Sequence, residues 1–136
     1  MSTLKTNKIQ HLTSGFNNVV QFVDGAGTQN GTLCRAWVNF DGTSTVAIRA
    51  QFNVSSITDN GTGDYTVNFS NAMSDANYAV NFWGQRASHS GSNYGWLGTF
   101  DTVGALTQTS STYRCNSHNS GGTLLDWGVL YVSIFR

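Results

Sequence analysis

Apolar and polar residues alternate along Thr45-Val46-Ala47-Ile48-Arg49-Ala50-Gln51-Phe52-Asn53-Val54, with Val46, Ile48, Ala50, Phe52 and Val54 on one side. Successive side chains of a strand leave opposite faces, so this run predicts a β-strand with one buried face. The same code recurs in Tyr65-Thr66-Val67-Asn68-Phe69. Between the two runs, Asp59-Asn60-Gly61-Thr62-Gly63-Asp64 supplies residues that tolerate positive φ, as a tight reversal requires. The pattern therefore predicts a central hairpin with one wet face.

Further strands follow from the same periodicity. Residues 33–40 place Cys34, Ala36, Val38 and Phe40 on one side, with Arg35, Trp37 and Asn39 on the other. Residues 78–83 set Tyr78, Val80 and Phe82 against Ala79, Asn81 and Trp83. Residues 96–100 and 103–109 read as two short strands, and residues 16–23 as a strand-like run closed by Asp24-Gly25-Ala26-Gly27. The last run, 124–135, is apolar on both faces, which predicts a strand covered on both sides, inside the molecule or at a subunit interface. Two stretches lose all periodicity and read as long polar loops: 85–95 and 113–122.

About eight short strands and no convincing helix predict an all-β fold, an antiparallel β-sandwich with jelly-roll-like connections. Composition agrees, since proline and glutamate are absent while Thr, Ser, Asn, Gly and aromatic residues abound. At 136 residues the chain is one domain's worth. Residues 1–30 are too sparse in apolar positions to fold alone and are expected to be a short extended N-terminal segment for attachment or trimerisation, with residues 31–136 as the sandwich.

Seven basic residues balance seven acidic ones and only 10% of the chain is charged, so no field is present to draw a phosphate backbone or an anionic bilayer. Neither nucleic acid binding nor membrane insertion is expected. No apolar run approaches the roughly 20 residues of a membrane span, and the start Met1-Ser2-Thr3-Leu4-Lys5 is unlike a signal peptide, so synthesis in a cytosol is expected. Without that signal the Asn-x-Ser/Thr sequons at Asn30, Asn53, Asn60 and Asn68 carry no weight.

Candidate chemistry narrows quickly. No Gly-x-Ser-x-Gly elbow or paired-carboxylate pattern is present, and the aspartates mostly stand in turns, so no catalytic residue and no enzyme is expected. Cys115-Asn116-Ser117-His118 could be half of a zinc site with His89 as a third ligand, but no second paired half follows, and the oxygens of residues 59–64 are those a hairpin turn needs anyway, so neither metal nor cofactor is expected. Cys34 reads as a small buried hydrophobe. Arg86, His89, Asn93, Tyr94 and Trp96 on one loop, and Arg114, Asn116, His118 and Asn119 on the other, combine ring faces with amide and imidazole groups. That mixture suits sugars, and these residues form the candidate ligand set. Trp37 and Trp83 project from the wet side of their strands, and exposed aromatics mark contact surfaces. With Trp127, Tyr131 and the leader residues Leu4, Ile9 and Leu12 they form the candidate oligomer interface.

Three segments carry a resemblance. Arg35-Ala36-Trp37-Val38-Asn39-Phe40-Asp41-Gly42, Thr45-Val46-Ala47-Ile48-Arg49 and the run from Phe52-Asn53-Val54-Ser55-Ser56-Ile57 through Thr66-Val67-Asn68-Phe69 resemble the C-terminal region of bacteriophage tail-fibre proteins, especially of marine phages and cyanophages. Leu4-Lys5-Thr6-Asn7-Lys8-Ile9-Gln10 is similar to a segment that opens many such proteins. The likeness spans roughly residues 1–12 and 33–82; beyond 85 only the strand-and-loop pattern matches. It implies a virion component, homotrimeric, joined to other virion proteins by the leader and meeting the host surface, and its glycans, at its distal loops. The chain lacks the long shaft of a fibre, so a short fibre tip and a capsid decoration protein stay open, as does a free sugar-binding lectin.

Overall fold

A computed structural model of the chain describes residues 19–24, 27–86, 96–98 and 108–136, and of residues 19–30 and 96–98 the backbone alone. Ten strands occupy these residues: β1 (Val19–Asp24), β2 (Gly27–Thr32), β3 (Cys34–Asp41), β4 (Ala47–Phe52), β5 (Val54–Gly61), β6 (Asp64–Phe69), β7 (Ala79–Gln85), β8 (Trp96–Gly98), β9 (Thr112–His118) and β10 (Val129–Phe135). Among the described residues there is no helix, and so none long and apolar enough to cross a membrane. β1 and β2 form a two-stranded sheet, and the others form two four-stranded antiparallel sheets ordered β4-β3-β10-β7 and β5-β6-β9-β8. The expected domain boundary at residue 30 falls inside β2.

The alternation of β3 and β10 becomes burial because both strands lie inside their sheet. Ala36, Val38 and Phe40 of β3 and Leu130, Val132 and Ile134 of β10 are all buried in one cluster with Val54, Tyr65, Val67, Phe69, Tyr113 and Cys115 of the other sheet. Phe40 and Tyr65 meet across the two layers edge to face, ring centroids 5.3 Å apart, a contact worth about 1 kcal/mol beyond the area it buries. The fold is thus an all-β chain of two antiparallel sheets sharing one core, as a sandwich requires. Within the two four-stranded sheets, three pairs consecutive among the described strands, β3–β4, β5–β6 and β8–β9, lie side by side, and the finer jelly-roll expectation is not carried by this order.

The expected central hairpin is corrected. The run 45–54 is broken at Asn53, which has φ +55° and ends β4 before β5 begins in the opposite sheet. β6 folds back on β5 through Thr62 and Gly63, and β4 instead forms the edge of the other sheet, all six of its residues exposed. Alternation reports which way side chains point; an edge strand can alternate with little to cover it. A second correction concerns residues 113–122. Most of that stretch is β9, paired with β6 and β8, and its Cys115, Asn116, Ser117 and His118 are buried. The final strand is shorter than expected, since residues 124–127 form no strand beyond a single bridge between Leu124 and His118. Cys34 is half-buried rather than buried, its thiol donating to Ala36 O at 3.3 Å.

A polar knot fixes the connections between layers. Tyr65 Oη lies 2.7 Å from Asp126 Oδ1 and 3.0 Å from Gly42 O, while Asp126 Oδ1 also accepts the Gly63 amide at 2.6 Å. Gly42 N donates to Trp127 O at 3.0 Å and Leu125 N to Ser117 O at 2.9 Å, so the segment before β10 is stitched to both sheets.

Candidate functional site

Because β10 is paired with both β3 and β7, register decides which side chains share the outward face of that sheet. Phe52 stands opposite Trp37, Trp37 opposite Ser133, and Ser133 opposite Asn81. Two residues further along, Ala50 stands opposite Asn39, Asn39 opposite Tyr131, and Tyr131 opposite Trp83. Side chains two apart share a face, so these two rows form one surface across all four strands. Its rings are open to solvent: Trp83 is 60% exposed, Phe52 54%, Tyr131 39% and Trp37 38%. Trp83 and Tyr131 stack, centroids 5.9 Å apart at an interplanar angle of 26°. Neither row contains a charged side chain. The Arg49–Asp41 ion pair, at 2.6 Å, belongs to the β3–β4 end outside them. Asn39 Oδ1 is buried and accepts no hydrogen bond.

Of the expected interface residues, Trp37, Trp83 and Tyr131 thus share one exposed face. Trp127 does not join them: it is 5% exposed, packed in the core beside Gly84, and its indole nitrogen has no hydrogen-bond partner. Leu4, Ile9 and Leu12 lie outside the described residues. Phe52 was missed because the even alternation of residues 45–54 places it inward. A register shift opposite Asn39 and Phe40, where β4 spends one extra residue, turns Ala50 and Phe52 outward instead.

The expected ligand set lies only partly within the described residues. His89, Asn93 and Tyr94 lie outside the described residues, and Arg86 follows the end of β7. Arg114, Asn116 and His118 alternate onto the outward side of β9, with Asp64 opposite Asn116 and Trp96 opposite His118. They are no solvated loop, however. Asn116 and His118 are 2% and 3% exposed, and His118 Nδ1 lies 3.2 Å from Gly122 O. Arg114 donates from Nε to Asp64 Oδ1 at 2.8 Å and from Nη2 to Asp64 Oδ2, a two-pronged pairing. Those bonds hold the Asp64 carboxyl below its ordinary pKa, against the opposing pull of burial. Asn119 Oδ1 accepts the amides of Gly121 and Thr123 at 2.9 and 3.0 Å, which shapes its own turn. Cys115 and His118 leave opposite faces of β9, so they make no half of a zinc site, and burial pushes the Cys115 thiol pKa up. In the 59–64 turn, Asp59 Oδ1 accepts the Gly61 amide at 2.9 Å.

The outward face of the β5-β6-β9-β8 sheet contrasts with the aromatic one. Asn68 Nδ2 donates to Thr58 Oγ1 at 2.9 Å and Ser56 Oγ at 3.1 Å, and Asn60 Nδ2 to Thr66 Oγ1 at 2.9 Å. Its side chains bond to one another, whereas the rings of the first sheet face solvent. The exposed aromatic face is therefore the candidate site. Comparison with protein-family models, with curated proteins and with solved structures finds no match to this chain.

Proposed function

We propose that this chain is a non-enzymatic structural protein of a phage virion, a homotrimeric module of tail-fibre type for attachment to the host surface, and that it meets other molecules through its outward aromatic face. The observation that carries this reading is the band of Phe52, Trp37, Tyr131 and Trp83, open on one sheet face in two rows that hold no charged side chain. The largest exposed apolar patch of a protein is often a functional one. The resemblance of residues 35–42, 45–49 and 52–69 to tail-fibre C-terminal regions supplies the biological setting. Residues 1–30 are the place for joining the copies and for anchoring them to other virion proteins. β1 and β2 pair only with each other among the described residues, and a two-stranded hairpin is marginal unless something completes it.

Purified particles labelled with an antibody against this chain, viewed by electron microscopy, test the reading. Label at the tips of tail fibres, a native mass three times that of the chain, and competition by the purified protein for adsorption to host cells are the expected results. Label spread over the head would replace attachment by capsid decoration, and particles without label would end the virion reading altogether.

A further inference from the structure

The aromatic face is ordered in a way that exposure alone does not require. In the row that begins with Phe52 the rings stand on β4 and β3, and in the next row, which ends with Trp83, they stand on β10 and β7. The four rings therefore cross the sheet diagonally, in a band about 16 Å long, three strand spacings of about 4.8 Å across and two residues of about 3.4 Å along. Hydrogen-bonding side chains occupy the corners that the band leaves: exposed Asn81 on one flank and Asn39 on the other. Trp83 turns one ring face to Tyr131 and stays 60% exposed.

We propose that this band is a platform for a neutral saccharide chain. Sugar rings carry C–H faces that lie flat on aromatic rings, and hydroxyls that pair with amides beside them. A diagonal strip of rings with amides on both flanks matches both halves of that chemistry along an extended chain. The ligand is neutral because neither row offers a charge to an anion or a cation. A second copy of the chain fits less well. With about 200 Å² for a whole aromatic side chain, the four rings expose roughly 400 Å², half of the about 800 Å² that a stable interface buries on each partner, so an interface with a second copy would have to extend well beyond the band.

The proposal rests on the aromatic face being the contact surface of the attachment module. Affinity electrophoresis of the full chain tests it, in gels containing galactomannan, dextran or hydroxyethylcellulose, with alginate as the anionic counterpart. Retardation in at least one neutral polymer and none in alginate is expected. Trp83→Ala and Trp37→Ala should each weaken it tenfold or more, Trp83→Phe should keep part of it, and Thr58→Ala on the opposite sheet should leave it unchanged. Both tryptophans are exposed, so an unchanged melting temperature identifies variants that fold. Retardation in no neutral polymer, equal retardation of the folded Trp83→Ala chain, or retardation in alginate alone overturns the proposal. So does Trp83→Ala converting an oligomer into a monomer while retardation persists, which would give the face to a second copy. If the chain competes with particles for cells but no polymer retards it, the saccharide falls and attachment stands. Retardation without competition has the opposite meaning.

Discussion

Gly42 occupies a position with no room for a side chain, since a Cβ there would lie 2.4 Å from Tyr65 Oη and 2.8 Å from the carbon that bears it. Tyr65 is fully buried and cannot step aside, so Gly42→Ala is expected to cost about 3 kcal/mol, read as a lowered midpoint in urea. Tyr65→Phe should cost less, about 1 kcal/mol, because one hydroxyl bond is lost while Asp126 Oδ1 keeps the Gly63 amide. Burial, with the Asp126 carboxylate beside it, pushes the Tyr65 pKa far up, and burial alone raises Tyr78 to about 12. Both phenols hold their protons more tightly folded than unfolded. Stability is therefore full below about pH 10 and falls as pH rises above it. Asp64 has the opposite sign. Its carboxyl is held down by Arg114, so the pair stabilises above about pH 4 and that contribution disappears as pH falls through and below that value. Asp64→Asn should cost about 2 kcal/mol at pH 7 and flatten, without abolishing, the loss of stability between pH 5 and pH 3 in denaturant titrations.

At the scale of elements, the decisive residue is Asn53. Its Nδ2 donates to Arg35 O at 3.0 Å and Asn71 O at 3.1 Å, and its Oδ1 accepts Asn71 N at 2.8 Å. With φ +55° it turns the chain from the first sheet to the second and ties the corner shut. Asn53→Ala should cost about 2–3 kcal/mol in equilibrium unfolding; Asn53→Gly, which relieves the backbone but loses the bonds, should cost less. If the two variants unfold alike, the backbone conformation is not part of the cost. Asn53 also marks the limit of what the sequence makes legible. Alternation placed β3, β6 and β7 because those strands point alternate side chains into the core, and Asp59–Asp64 marked its turn by residue type. Alternation also runs unbroken through residues 45–54, because nothing in a polar–apolar pattern distinguishes an asparagine at a corner from one on a wet face. β9 was hidden for the converse reason. Arg114, Asn116, Ser117 and His118 look like solvated loop residues. Their burial depends on partners distant in sequence, such as Asp64 for Arg114 and Leu125 O for Ser117 Oγ at 2.6 Å. For the candidate site, Trp37 and Trp83 were visible as outward residues, but their union with Phe52 and Tyr131 exists only through the register of β3, β4, β7 and β10.

The whole molecule is a two-layer body with unlike outer faces. On one, asparagines and hydroxyls bond to each other and Arg114 to Asp64, so a partner gains little by contact. On the other, four rings remain in water and would release it to any surface that covers them. We therefore propose contact through the first sheet rather than through the ligand residues that the polar loops suggested. Tryptophan indole resonances of the 15N-labelled chain test this most directly, once assigned by Trp37→Phe, Trp83→Phe and Trp127→Phe. Spectra would be recorded against galactomannan and, separately, against rising concentration of the chain itself. The Trp37 and Trp83 signals should shift or broaden with galactomannan and hold their place as the chain is concentrated, while that of buried Trp127 stays in place in both. Binding to cells or polymer with Trp37 and Trp83 unmoved would contradict the account.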